Sequence, residues 1–418
     1  MSGISAGQRE PSPSSAVMIG AGNIGRGFIG AAFAASGYRT IFIDINKALV
    51  DEINARGEYT VELLSPGGGS VETCVRGICA VDGNDIESAA AAIAGADICA
   101  TAVGMRNLSF VASMLAPALK TRARNKMPPL DIIVCENMMD AGRSLRGFVQ
   151  AKLPEELRGT VDEGTGYPEA VIGRMVPIQT EEMRKGDPLR MCVEDYSFIP
   201  VDKSAFKGEI PGIEGLTPLD GFEYYVKRKL FIHNLGHAAI GYLGLLGGYA
   251  YISDAAEDPD ILFLAAGAMH ESAAALSLEN SADAANLNRN IDSLLYRFSN
   301  KALKDTCERV SADPARKLGK QDRITGALEN CERFGLPVVY IAAVAAAASF
   351  VYGSNCNDDK KAPLPQLASV MGISEDSKTY IMIEILREAV LSQGYGSRYA
   401  LEVLRREVVK MAGDIKVL

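Results

Sequence analysis

The sequence predicts an α/β fold: a doubly wound, Rossmann-type sheet carrying an inserted hairpin, followed by a mainly α-helical C-terminal domain. Three observations carry that prediction. An apolar run over 16–19 opens directly into Gly20-Ala21-Gly22-Asn23-Ile24-Gly25, and a second apolar run over 39–43 ends on Asp44. Short β-type and helical segments then alternate, which is the rhythm of parallel βαβ units. Beyond about residue 220 long helical segments replace them. At 418 residues the chain is longer than one core usually organises, so more than one domain is expected.

In chain order, residues 1–15 are rich in Ser, Gly and Pro and are expected to be a disordered lead-in. The strand–turn–helix–strand unit over 16–44 follows. Within it Gly20 permits a tight turn, Gly22 lets a pyrophosphate approach the backbone, and Gly25 lets helix and strand pack closely. The backbone of Gly20, Ala21, Gly22, Asn23, Ile24 and Gly25 would then turn free N–H groups and the positive end of a helix dipole toward the phosphates. Asp44 stands about twenty residues further on, where a carboxylate accepts both ribose hydroxyls and repels a 2′-phosphate; this favours NAD over NADP.

Segments 59–64 and 70–81 flank Ser65-Pro66-Gly67-Gly68-Gly69 and read as an antiparallel hairpin inserted into the first domain. A helix over 84–94, a buried strand over 98–102, Val103-Gly104, a helix over 107–121 and a strand over 131–135 continue the doubly wound pattern. The last of these strands ends on Glu136-Asn137, and such sheets gather ligands beyond their carboxyl ends. Short strands return between 171 and 200, including 191–193 and 197–200. Helices are expected over 223–246, 261–276, 285–298, 338–352 and 377–390. The domains are therefore drawn as 16–205 and 206–418, with the active cleft between them. The uncharged stretch 336–353 imitates a membrane span, but its alanines give little transfer energy and it reads as a buried helix.

Composition narrows the function. The net charge of -9, with no basic tract, argues against nucleic acid or a membrane as partner. An anionic small substrate needs only a local basic pocket. The eight cysteines are scattered without a Cys-x-x-Cys pair and no signal peptide is evident, which points to reduced thiols in a cytoplasmic protein. Three histidines without ligand spacing give no metal site.

Two of those histidines lie in Lys227-Arg228-Lys229-Leu230-Phe231-Ile232-His233-Asn234-Leu235-Gly236-His237. On an α-helix Lys229, His233, His237 and Asn234 fall at roughly 0°, 40°, 80° and 140°. A lysine, an amide and an imidazole on one face can move a proton while holding an oxygen. A half-buried amphipathic helix with a solvated Lys-Arg-Lys start has the same pattern. Both readings stay open on this stretch by itself.

Four blocks resolve the choice. They are Gly20 to Gly30 (GAGNIGRGFIG) with the strand ending at Asp44-Ile45-Asn46; Thr101-Ala102-Val103-Gly104; Cys135-Glu136-Asn137; and Lys229, Asn234 and His237 spaced as Lys, four residues, Asn, two residues, His. In content, order and spacing the chain resembles the polyol-specific long-chain dehydrogenases, the mannitol dehydrogenase family, from about Ala16 to the C-terminus. The stretch Arg297-Phe298-Ser299-Asn300, Asp305-Thr306, Asp313-Pro314-Ala315-Arg316-Lys317-Leu318 and Asp322-Arg323 resembles its sugar-phosphate branch.

The resemblance implies metal-independent hydride transfer between NAD and an anionic small sugar substrate, mannitol 1-phosphate against fructose 6-phosphate. Lys229 would be the acid/base, Asn234 and Asn137 would donate to the reacting oxygen, and His237 would bind or orient the substrate. Val103 would line the cofactor site and His233 would pack. Arg316, Lys317 and Arg323 would meet a phosphate, or else form interhelical ion pairs. One departure is Gly173, which stands where the family usually has an acid. An unphosphorylated polyol dehydrogenase, a fructuronate or tagaturonate reductase, and a non-catalytic NADH sensor remain alternatives. Monomer and dimer are both compatible with the sequence.

Overall fold

The apolar run Ser15–Ile19 forms β1, at the heart of a six-stranded sheet. The computed structural model describes residues 14–356, 367–392 and 397–414, so residues 1–13 of the expected lead-in lie outside the described residues. After β1 a helix begins with a π-turn, Gly25–Ile29, and continues as α1, Gly30–Ala35. Then come β2 (Arg39–Asp44), α2 (Lys47–Arg56), β3 (Glu58–Leu64), β4 (Ser70–Arg76) and β5 (Ile78–Asp82). The series continues with α3 (Ile86–Ala94), β6 (Ile98–Thr101), α4 (Leu108–Arg124), β7 (Leu130–Val134), α5 (Ala141–Lys152), α6 (Glu155–Glu163) and the short β8 (Thr165–Gly166).

Across the main sheet the order is β5-β2-β1-β6-β7-β8, and the pairs are parallel. The chain runs outward from β1 through β2 to β5, then returns to the other side of β1 with β6. That reversal makes a topological switch point between β1 and β6. Both faces of the sheet are covered, which is why its strands read as unbroken apolar runs. On one face Phe28, Phe33, Val50 and Ile53 pack with Tyr59 and Met191. On the other, Ala89, Ile93, Val111, Leu115, Leu145 and Val149 fill the layer.

The expected hairpin arm over 70–81 is two strands. Gly77, at φ +72°, breaks it. β4 stays beside β3 in a small sheet completed by β9 (Met191–Glu194), while β5 joins the edge of the main sheet. A short helix α7 (Glu181–Arg184) precedes β9. Then β10 (Ile199–Asp202) pairs in parallel with β11 (Leu216–Leu219). Because of that pairing the first compact unit runs on to Phe222, past the boundary drawn at 205, and the turn Leu64–Gly69 groups with the second unit.

The second unit is helical. Its helical part begins at Glu223 within α8 (Phe222–Arg228), which passes through a π-turn, Lys229–Asn234, into α9 (Leu235–Gly247). There follow α10 (Ile252–Glu257), α11 (Pro259–Asn280), α12 (Ala284–Phe298), α13 (Cys307–Ser311), α14 (Pro314–Lys317), α15 (Thr325–Arg333), α16 (Val339–Cys356), α17 (Leu367–Met371), α18 (Lys378–Leu391) and α19 (Arg398–Asp414). α9 is the hub, packed against α11, α13, α16 and α19. A Cβ on Gly236 would lie 2.4 Å from the Met269 Sδ of α11, and one on Gly244 would lie 2.6 Å from the Cys307 Sγ of α13, so these helices meet at backbone distance. The uncharged stretch read as a buried helix is α16, whose residues Ile341 to Ala348 are all buried. Two further helices, Phe222–Gly247 and Pro259–Asn280, are long and apolar enough to cross a membrane, but 72% and 50% of their apolar windows are buried inside the protein, as core helices are.

Candidate active site

The glycine turn sits at the switch point. Gly20, at φ +99°, donates its N–H to Ile43 O at 2.7 Å, and a Cβ there would lie 2.5 Å from Ala102 O. A Cβ on Gly25 would come within 1.8 Å of Gly20 O, so the first helical turn can close over the loop only with glycine. Gly22 is different: it is exposed, and nothing lies within 4 Å of where its Cβ would be. That open ground is what an approaching pyrophosphate requires. The Asp44 carboxylate already accepts the N–H of Ala21 at 2.8 Å and that of Asn46 at 2.9 Å. An ionised carboxylate has about four acceptor positions, so capacity for two ribose hydroxyls remains. Asn23 points its amide at Pro177 O, 3.3 Å away.

Arg26 follows the turn but does not face outward. It is buried, and its Nε and Nη1 donate to Ala21 O and Leu189 O at 2.7 Å each; burial holds its pKa below the usual arginine range. It braces the loop from beneath. Across the switch point Glu136, also buried, accepts the N–H of Val103 at 3.0 Å on one oxygen and that of Gly104 at 2.9 Å on the other. The sequence marks Glu136 only as part of a motif; the structure makes it the clamp that shapes the Val103–Gly104 turn. Asn137 follows it at the exposed carboxyl end of β7. Where the family's usual acid is replaced, a Cβ on Gly173 would lie 3.1 Å from the Tyr196 ring. The neighbouring Arg174 stacks on Phe28 at 4.1 Å and donates to Gly27 O at 2.9 Å, fastening this segment to the π-turn of the cofactor helix.

In the second unit the π-turn corrects the helical-wheel geometry. The i→i+5 bonds of such a turn hold one residue more than an α-turn. Positions five apart therefore stack as positions four apart do in an α-helix, which brings Asn234 back over Lys229 rather than 140° away. His237 is three residues further on, one α-turn above Asn234. Lys229, Asn234 and His237 thus form one row, and the spacing of four and then two intervening residues is the spacing this backbone needs.

Lys229 is half-buried. Burial, and secondly the charge of Arg323, pull its pKa down to about 8 against the opposing pull of Asp322. Asn234 is 8% exposed, and its Nδ2 has no hydrogen-bond partner among the described residues. A buried donor left without an acceptor is costly, and a catalytic role or a bound water is among the things that account for one. His237 Nε2 lies 3.0 Å from Asp305 Oδ2, and its ring stacks on Phe298 with centroids 5.2 Å apart and planes 5° apart. His233 edges against the same phenylalanine at 5.7 Å, as a packing residue does. Its pKa is driven well below the ordinary value, first by burial and then by Arg297, His237, Lys229 and Arg323. Two buried arginines, Arg297 and Arg323, thus act on the row together with the carboxylates of Asp305 and Asp322.

The three cations expected to meet a phosphate are not equivalent. Arg316 gives Nε to Asp313 and Nη1 to Asp322, each at 2.7 Å. Lys317 is buried with its ammonium on Val310 O at 2.5 Å and on Ala312 O. Both are engaged inside the unit, Arg316 in ion pairs and Lys317 on backbone carbonyls rather than carboxylates. Arg323 bonds Asp322 through Nε at 2.8 Å and is the one of the three whose charge acts on Lys229. Among the described residues no group of three His, Cys, Asp or Glu side chains is arranged to hold a metal ion.

Known proteins supply the context for this geometry. The family model of the mannitol dehydrogenase Rossmann domain matches residues 14–215, and that of the mannitol dehydrogenase C-terminal domain matches residues 222–379. The chain is 38% identical over 338 residues to a mannitol-1-phosphate 5-dehydrogenase of Brevibacillus brevis, covering 81% of this chain and 86% of that one. It is 36% identical over 353 residues to the enzyme of the same name from Lactiplantibacillus plantarum, covering 84% and 90%. Among solved structures, substrate-free D-sorbitol dehydrogenase superposes with a TM-score of 0.75 at 16% identity, over 93% of this chain and 94% of that one. Mannitol 2-dehydrogenase of Pseudomonas fluorescens, in a ternary complex with NAD and D-mannitol, gives 0.68 at 17% identity, over 96% and 92%. These two share the fold: a parallel Rossmann sheet followed by a helical domain. With both family domains matched in order, the chain belongs to the mannitol dehydrogenase family.

Proposed function

We propose that the protein is an NAD-dependent polyol phosphate dehydrogenase interconverting mannitol 1-phosphate and fructose 6-phosphate, with Lys229 as acid/base. The observation that carries this is the row of Lys229, the unpartnered amide of Asn234 and the carboxylate-anchored His237 on one helix face. NAD suits the first unit: open space at Gly22, spare acceptor capacity on Asp44, and a carboxylate that would repel the 2′-phosphate of NADP. When bound, NAD supplies the hydride acceptor for polyol oxidation and, as NADH, the donor for ketose reduction.

The chain's own residues handle the proton and the oxygen. In oxidation the neutral amine of Lys229 takes the hydroxyl proton; in reduction its ammonium returns it. Asn234 Nδ2 donates to the same oxygen and gains an acceptor it otherwise lacks, so the bond strengthens as negative charge develops there. Asn137 is assigned the second donor, and His237 holds the substrate in register. The guanidinium groups of Arg297 and Arg323, whose charge reaches this helix, suit an anionic substrate. Two of the relatives named above carry mannitol 1-phosphate in their names, which supports the phosphorylated substrate over free mannitol.

One observation favours a second reading. Arg316 and Lys317 are occupied, and Arg323, itself bonded to Asp322 through Nε, is the one of the original three whose charge acts on Lys229. A single guanidinium pairs with a carboxylate as well as with a phosphate, so a fructuronate or tagaturonate reductase has the same machinery. The test is NADH oxidation followed by absorbance, with fructose 6-phosphate, fructose, fructuronate and tagaturonate side by side. Turnover confined to the phosphate ester supports the proposal; turnover confined to a uronate replaces it with the second reading, and no turnover with any of them removes both.

A further inference from the structure

His237 is held by a residue far away in the chain. Lys304, at φ +48°, turns the backbone after α12; Thr306 then bridges to Tyr251, and Asp305 O accepts the N–H of Ile252 at 2.9 Å. The Thr306 hydroxyl caps α13 through the N–H of Arg309 at 3.2 Å. Asp305 is therefore pinned on both sides, and its carboxylate is delivered into the interior. There Arg309 grips it with Nε and Nη2 at 2.6 Å each, while His237 Nε2 approaches at 3.0 Å. Burial alone would raise the Asp305 pKa, but the hydrogen bonds of His237 and Arg309 outweigh it and hold it to about 2. The carboxylate carries no proton, so it only accepts.

We infer that Asp305 is a positioning residue that holds the His237 ring proton on Nε2, leaving Nδ1 to accept a hydrogen bond from a substrate hydroxyl beside the reacting carbon. An acceptor-only partner at Nε2 requires the ring proton to be there, and a neutral imidazole has only one. The stacked Phe298 ring holds the imidazole plane, and a half-turn of the ring within that plane would carry Nε2 away from Asp305. The row then has a polarity. Lys229 and Asn234 offer donors to a carbonyl oxygen, and His237 offers an acceptor. A ketose meets both demands, because its carbonyl is flanked by hydroxyl-bearing carbons. A simple ketone meets only the first. The site is thus built to read an α-hydroxy ketone. This rests on the oxidoreductase reading above but adds a selection that Lys229 chemistry alone does not impose.

Two measurements test it. In enzyme labelled with ¹⁵N-histidine, long-range ¹H–¹⁵N spectra distinguish protonated from bare ring nitrogens; three histidines in the chain, and the spectrum of His237→Asn, make the assignment tractable. The expected result is a proton on Nε2 and a bare Nδ1 in the wild type. A proton on Nδ1 overturns the inference, whatever the substrate proves to be and whether or not a variant folds. Secondly, kcat/KM is compared for fructose 6-phosphate and its 1-deoxy and 3-deoxy analogues. The wild type is expected to disfavour one analogue by about ten- to a hundredfold, the usual effect of one unmade hydrogen bond to a buried partner. In Asp305→Asn that preference should shrink to about threefold or less. An undiminished preference in Asp305→Asn, or no preference in the wild type, overturns it. Failure to turn over fructose 6-phosphate at all would instead count against the proposed function, while the ring spectrum still decides the tautomer.

Discussion

Replacing Lys229 with alanine, with pH as the second variable, isolates the proton-transfer step. An ordinary lysine titrates at 10.5 and Lys229 at about 8, so at pH 7 about one molecule in eleven carries the neutral amine, some 300-fold more than an exposed lysine would supply. Below about pH 8, kcat/KM for polyol oxidation should rise about tenfold per pH unit and then level off, whereas ketose reduction should fall above it. Lys229→Ala should remove that limb and lower kcat by about 10²- to 10⁴-fold. Lys317 is the control, because burial pulls it to about 8 as well. Lys317→Met should leave the limb in place. The assay is NADH absorbance between about pH 6 and 10. A limb near 8 that survives in Lys229→Ala, or disappears in Lys317→Met, refutes the reasoning. Stability gives an independent reading. The unfolded lysine holds its proton up to 10.5 and the folded one only to about 8, so the unfolded state binds more protons in that window and stability rises with pH across it. Lys229→Met should therefore raise Tm at pH 7, and the gain should vanish by about pH 10.5.

Asp44→Ala should weaken NADH binding and improve relative use of NADPH; an unchanged cofactor ratio in steady-state assays would refute the ribose assignment. Asn234→Ala should lower kcat by about 10²- to 10³-fold while leaving Tm unchanged or higher, since it deletes a buried donor that has no partner among the described residues. A fall in Tm with unaltered kcat would make Asn234 structural. Glu136→Gln replaces two acceptor oxygens by one and cannot satisfy both the Val103 and Gly104 N–H groups. It should cost about 1–3 kcal/mol of stability and raise the Kd for NADH, read by denaturant titration and fluorescence; no change in either would show that the turn holds itself.

The cofactor turn was fully legible because its determinants are local: three glycines, a helix start and an acid on the adjacent strand, all within one βαβ unit. The helical half was legible from its apolar spacing, and the buried character of α16 from its alanines. What escaped had a common cause in distance or backbone geometry. Asp305 meets His237 across 68 residues, and Glu136 meets Val103 across 33; no local pattern announces such a contact. The strand break at Gly77 looked like one more residue of a hairpin arm, since a glycine's φ is not written in the sequence. Arg316 and Lys317 have the right charge for a phosphate, but their partners at 313, 322 and 310 claim them first. The helical wheel misplaced Asn234 because it assumed an unbroken α-helix through the π-turn.

That π-turn also decides where this helix can change length. It holds one surplus residue between Lys229 and Asn234, absorbed without turning the helix about its axis. Deleting one residue from 230–233 should let the segment relax to plain α-helix with α9 still in phase, so Gly236 would keep facing Met269. The same deletion placed inside α9 would swing everything beyond it by about 100° and drive side chains into α11 and α13. A one-residue deletion in this helix is thus forgiven by the fold at the stretch between Lys229 and Asn234, where the two residues, then four apart on plain α-helix, would still share a row.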